Sequence, residues 1–154
     1  AKTASLLSGA CEVGALRAGP AERHALRHFG EYLGMAFQIV DDLLDYTEEE
    51  AVTGKPSGND LREHKVTLPL IYALDRLTPA ARREVQTLMA TTEPSDQLIA
   101  RVVALVGEAG GLEYARNRAQ GLADQADQAL DALPASAARD TLRDSITYVL
   151  DRRR

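Results

Sequence analysis

A single cysteine, Cys11, occurs in the 154 residues, so no intramolecular disulfide can form, as fits a reducing compartment. Cys11 itself reads as a small buried apolar residue. No covalent staple is needed, because a chain of this length can bury a core of its own. Long hydrophobic runs are missing too. Nothing approaches the roughly 18 apolar residues of a spanning helix, and Glu12 breaks the apolar stretch after Lys2 too early for a signal peptide. A cytoplasmic protein with no integral membrane segment is expected. Positive charge is in deficit, the formal net charge being -5. That balance repels phosphate backbones and anionic lipids, so nucleic acid and membrane surfaces are not expected partners. A phosphate ligand would need cations placed locally. Alternating β-branched runs, internal repeats and low-complexity segments are also absent.

What is present is ordinary globular composition, 45% hydrophobic and 27% charged, with apolar residues recurring every three or four positions. That period predicts an all-α fold. A first helix is expected over Ala1–Leu16, ended by Ala18-Gly19-Pro20, and a long second helix over Ala21–Thr47. The first helix starts without a cap, which suggests a chain cut from something longer. Glu48 to Val66, with Gly54, Pro56 and Gly58, reads as a long loop, a length that often signals function. Helices follow at Thr67–Arg76 and Pro79–Ala90, the latter capped by Thr78. Ser95 caps another that stops at Gly110-Gly111. The next carries Ala115, Ala119, Leu122, Ala126, Leu130 and Leu133 on one stripe and is closed by Pro134; a last helix ends near Asp151. Small residues Ser8, Gly9, Ala10 and Gly14 suggest close packing of the first helix. His24 and His28, four apart, have a zinc-compatible spacing, but Arg23 and Arg27 disfavour a dication and no third ligand is evident, so exposed or subunit-contact histidines are the expectation.

The chemistry concentrates in Phe37-Gln38-Ile39-Val40-Asp41-Asp42-Leu43-Leu44-Asp45-Tyr46. On a helix Gln38, Asp41, Asp42 and Asp45 fall within about 100° of one another, and apolar residues take the rest of the girth. A helix that is apolar around most of its surface is buried, so this stripe should face an internal crevice. The alternative is the solvated face of an amphipathic helix, but such faces usually mix signs and no lysine or arginine interrupts this one. In a crevice two carboxylates about 5 Å apart repel by roughly 3 kcal/mol at an effective dielectric of 20, which calls for a protonation shift or a cation. Oxygen ligands without histidine or cysteine suit magnesium, which takes one or two carboxylates together with waters and substrate phosphates. Lys55 and Lys65 follow in the loop, where Gly54 and Gly58 let the backbone approach a ligand closely.

With those residues in view, the stretch from Gly30 to Leu74 resembles the trans-isoprenyl (polyprenyl) diphosphate synthase family. The resemblance rests on Gly34-Met35-Ala36-Phe37-Gln38-Ile39-Val40-Asp41-Asp42-Leu43-Leu44-Asp45-Tyr46, then Gly54-Lys55-Pro56-Ser57-Gly58-Asn59-Asp60-Leu61, then Lys65-Val66-Thr67-Leu68-Pro69-Leu70, with Lys2-Thr3 upstream. It implies the all-α prenyl synthase fold, with residues 1–154 as the C-terminal half that carries the second aspartate-rich motif. By that resemblance Asp41, Asp42 and Asp45 hold Mg2+ against an allylic diphosphate. Lys2, Lys55 and Lys65 contact its phosphate oxygens, while Thr3 and Gln38 line the site beside the reacting carbon, so that Lys2, Thr3, Gln38 and Asp41 carry the catalysis.

The implied reaction is condensation of isopentenyl diphosphate with the allylic diphosphate. The family's first acidic motif has no counterpart here, since Asp41-Asp42 is the one aspartate pair in the chain. The end at Asp151-Arg152-Arg153-Arg154 resembles a family C-terminus, so the missing N-terminal half is expected upstream, or on a partner subunit, and a homodimer is implied. Two rival readings are a non-catalytic synthase-like partner subunit, disfavoured by the intact acidic and lysine residues, and a terpene cyclase, disfavoured by the lysine-bearing segment from Gly54 to Leu70.

Overall fold

In a computed structural model, residues 2–47 and 58–152 are described. Every regular element among them is helical: α1 (Lys2–Gly14), α2 (Pro20–Thr47), α3 (Asn59–Arg62), α4 (Leu68–Leu74), α5 (Pro79–Ala90), α6 (Asp96–Glu108), α7 (Gly111–Ala129), a 3₁₀ turn (Leu130–Ala132) and α8 (Ala137–Leu150). The expected all-α architecture therefore holds. No helix among the described residues is long and apolar enough to cross a membrane. The chain divides into two units, one built from the residues up to Val40 together with those from Asn117 onward, the other from Asp41–Arg116.

In the first unit α1 and the following part of α2 run antiparallel. Pro20 opens α2, where its missing N–H costs nothing. Ala25, Phe29, Leu33, Ala36 and Val40 then recur at four- and three-residue steps and are all buried. Phe29, Leu33 and Ala36 join Leu122, Ala126, Leu130, Ile146 and Val149 in one core. Polar ties fix the register of α1 on α2: the Ser8 hydroxyl donates to the Arg27 carbonyl at 3.1 Å, and the Arg23 guanidinium donates to Glu12 at 2.9 Å. Ser136 caps α8 through the Arg139 amide, and Arg143 of α8 reaches Asp127 and Asp131, each at 2.7 Å.

The glycines that let these two helices pack closely are on α2, and Gly9 and Gly14 of α1 take no part. Gly9 and Gly14 face open space, whereas a Cβ placed on Gly34 would lie 2.6 Å from the Ala4 Cα, and one on Gly30 would lie 2.5 Å from the Leu7 carbonyl oxygen. The same glycine-to-alanine change should thus act with opposite sign at two sites. Gly9→Ala in an exposed helix interior gains up to about 1 kcal/mol of helix propensity. Gly34→Ala must push a backbone away, and overpacking of that kind costs about 1–3 kcal/mol. Thermal melts of the two variants should move apart, Gly9→Ala upward and Gly34→Ala downward; a Gly34→Ala melt at or above the parent's would refute the contact.

In the second unit Leu61, Leu70, Ala73, Val85, Leu88, Ile99, Val102 and Val106 form the core together with Tyr46. The caps fall as expected. Thr78 accepts the Ala81 amide and Ser95 the Leu98 amide, and α6 stops at Gly110, whose φ is 77°. The expected loop over 48–66 is corrected in part. Residues 48–57 lie outside the described residues, but Asn59–Arg62 form α3. The cause is tertiary: Leu61 is fully buried in the core, and the first amides of this turn find acceptors on Asp45.

Candidate functional site

The residues singled out from the sequence fall on both units. Lys2 begins α1 and is exposed. Next to it the half-buried Thr3 donates its hydroxyl hydrogen to Gln38 Oε1 of α2 at 3.1 Å, a contact within the first unit that the sequence alone does not predict. Lys55 lies outside the described residues.

In the second unit the last turns of α2 carry Asp41, Asp42 and Asp45, all half-buried. Of the apolar residues around them Leu43 and Tyr46 are buried, while Leu44 is partly exposed. Asp45 makes three contacts with one returning segment. Its backbone carbonyl accepts the Gly58 amide at 2.8 Å, its Oδ1 the Asn59 amide at 3.1 Å, and its Oδ2 the Asp60 amide at 2.9 Å. Burial, aided by the nearby Asp60 charge, pushes the Asp45 carboxyl above the ordinary aspartate range, against the opposing pull of those amides and of Lys65.

Lys65 is exposed and ends the segment, with its Nζ 2.9 Å from Asp60 Oδ1 and 2.7 Å from Glu63 Oε2. Hydrogen bonding to these two carboxylates raises its pKa, and the Lys65 contact in turn lowers that of Glu63. One residue along α2, the buried Tyr46 hydroxyl meets the Thr67 Oγ1 at 2.9 Å. Burial pushes the Tyr46 phenol up to about 12. Thr67 precedes α4 and is itself buried, so this bond ties the end of α2 to the start of α4.

Among the described residues no group of three or more His, Cys, Asp or Glu side chains is arranged to hold a metal ion. His24 and His28 pair with each other, their Nε2 atoms 3.0 Å apart, and Glu31 lies 3.5 Å from His28 Nδ1. The donor set of Asp41, Asp42 and Asp45 is all oxygen and half-buried, which fits a hard dication held by one or two carboxylates and completed by water and phosphate oxygens better than a closed protein cage. Sequence reasoning does not single out Asp60. Its position beside Asp45 and Lys65 depends on a chain reversal of fifteen residues that no local periodicity encodes.

Against known proteins, the profile described as polyprenyl synthetase matches residues 1–106. The heptaprenyl diphosphate synthase component 2 of Geobacillus stearothermophilus is 38% identical over 152 residues, covering 96% of this chain and 46% of that protein. The crystal structure of a decaprenyl diphosphate synthase from Rhodobacter capsulatus superposes with a TM-score of 0.90 at 39% identity, over 97% of this chain and 47% of that one. A polyprenyl synthase from Caulobacter crescentus CB15, complexed with calcium and isoprenyl diphosphate, gives a TM-score of 0.90 at 35% identity, over 100% of this chain and 48% of that one. The chain thus spans about half the length of the relatives it matches.

Proposed function

This chain belongs to the polyprenyl synthetase family, and we propose that it supplies one magnesium–diphosphate half-site of a synthase that condenses isopentenyl diphosphate with an allylic diphosphate in isoprenoid biosynthesis. The observation that carries the reading is the half-buried row Asp41, Asp42 and Asp45 on α2, with Asp45 clasping the segment that ends in Lys65. Acidic and cationic groups held this close suit a ligand that is itself a complex of cation and polyanion.

In this reading Asp41 and Asp42 hold Mg2+ against the diphosphate, with Asp45 beside them. The bound cation supplies Lewis-acid stabilisation of the departing diphosphate. Lys2, Lys55 and Lys65 neutralise its oxygens as charge develops there, the kind of preorganised stabilisation that contributes most to such reactions. For Lys65 this means exchanging a carboxylate partner, Asp60 or Glu63, for a phosphate oxygen. Thr3 and Gln38, fixed on each other by their hydrogen bond, present dipoles beside the allylic carbon as it becomes positive.

The chain is further proposed to be the C-terminal part of the synthase domain and to work with an N-terminal half, with a partner subunit or as a two-fold homodimer. Leu6 and Val13 on α1 and Leu16 in the turn after it are 74%, 64% and 58% exposed. Exposed apolar side chains gathered in one stretch of chain are what an interface would cover. The relative named component 2 of a heptaprenyl diphosphate synthase supports a reading with more than one subunit.

Calorimetric titration of the chain with inorganic diphosphate tests the half-site. Binding should be detectable with millimolar MgCl2 and vanish with EDTA. Lys55→Ala should weaken that binding while leaving the melting temperature near the parent's. Diphosphate binding of equal strength with and without magnesium would remove the proposal.

A further inference from the structure

The sequence writes three equivalent aspartates, but in the structure Asp45 gathers the backbone of a distant segment. Gly58, Asn59 and Asp60 donate three consecutive backbone amides to this one residue, at 2.8, 3.1 and 2.9 Å. Successive amides that point at one anion form a nest, and this one turns on a left-handed residue. Gly58 supplies it with φ 79° and ψ 30°. A side chain there would be strained by that φ and would also meet Ile99, 2.5 Å from the added Cβ.

The clasp reaches further along the chain. Beyond the nest Leu61 is fully buried, so the segment is held at two points, by Asp45 and by the core. Between and after those points stand the groups that carry charge. The Lys65 amide donates to the Asp60 carbonyl at 2.8 Å, and its Nζ meets the Asp60 carboxylate at 2.9 Å.

We infer that Asp45 is a positioning residue: its carboxylate fixes the Gly58–Asp60 turn, and through that turn and its Asp60 partner sets where Lys65 presents its charge to a diphosphate. This role rests on the half-site reading above for the identity of the ligand, but not for the clasp itself.

Two variants of the 154-residue chain test it. Asp45→Asn keeps one acceptor oxygen and turns the other into a donor, so one amide of the pair loses its partner. Gly58→Ala leaves every carboxylate in place and disfavours the turn. Both should speed hydrogen exchange at the Asn59 and Asp60 amides at least tenfold while leaving that of the Ala36 and Val40 amides unchanged. Both should also weaken binding of inorganic diphosphate about tenfold at saturating MgCl2, with the half-saturating magnesium concentration within threefold of the parent's. A residue that acted as a metal ligand would not be mimicked by Gly58→Ala. The inference is overturned if Asp45→Asn raises the half-saturating magnesium concentration tenfold or more while the Asn59 and Asp60 amides stay protected. It is equally overturned if protection is lost and diphosphate binding stays at the parent value. Failure of the parent chain to bind diphosphate at all would instead sink the half-site reading, and the exchange rates would still decide the clasp.

Discussion

Supplied with magnesium, an allylic diphosphate and isopentenyl diphosphate, the 154-residue chain alone is expected to form no elongated product at an enzymatic rate. The reaction joins two bound molecules. In the proposed reading one acidic row would supply part of the coordination of a single diphosphate, and the chain has no aspartate pair besides Asp41-Asp42 from which a second such row could be built. Holding two reactants in register accounts for roughly 7–11 kcal/mol of barrier lowering in well-oriented cases, or about five to eight powers of ten in rate at 1.36 kcal/mol each. A half-site forfeits most of that term even if it binds its own ligand well. Radiolabelled isopentenyl diphosphate should therefore stay unincorporated until the complementing part of a synthase, supplied in trans or fused, restores the second site. Elongation by the isolated chain at the rate of an ordinary synthase would show that the active site is complete within it.

How much of the fold and the site is legible in the sequence depends on the range of the interactions. Helix limits set by near neighbours are readable. Thr78 with Pro79, Ser95, and the glycines at 110 and 111 mark ends through capping and backbone preference within a few residues. The Asp41, Asp42 and Asp45 row is legible for the same reason, since helical periodicity alone places its members. Features that depend on distant chain segments are not. Nothing local separates Gly9, which faces open space, from Gly34, which seats Ala4. Nothing in Gly58-Asn59-Asp60 announces that its amides end on an aspartate thirteen to fifteen residues earlier, and so α3 reads as loop. Tyr46 with Thr67 is a third case. Thr67 reads as the start of a helix, yet it lies just before α4, makes no side-chain cap bond, and its hydroxyl meets the buried phenol.

Within an assembled synthase, Asp41→Ala is expected to cost at least a hundredfold in turnover, on the order of 3 kcal/mol of transition-state stabilisation. Asp41 begins the acidic row and lies one helical turn from both Gln38 and Asp45 on α2. Removing its carboxylate takes away negative charge where the proposed cation must sit, and that charge matters most as the diphosphate departs. Because Asp41 is only half-buried and belongs to neither core, the loss should appear in kcat and in the magnesium requirement and not in the fold. Its melting temperature should stay within about 2–4 °C of the parent's, the shift that 1 kcal/mol produces in a domain of this size. Asp41→Asn separates charge from shape: it keeps the size and one acceptor oxygen, so a loss close to that of Asp41→Ala assigns the effect to the carboxylate charge. Asp45→Asn should differ in kind, with a magnesium requirement near the parent's and a mobile Gly58–Asp60 turn. If Asp41→Ala retains turnover within a few-fold of the parent at limiting magnesium, the cation is held elsewhere and the acidic row of α2 is not the metal site.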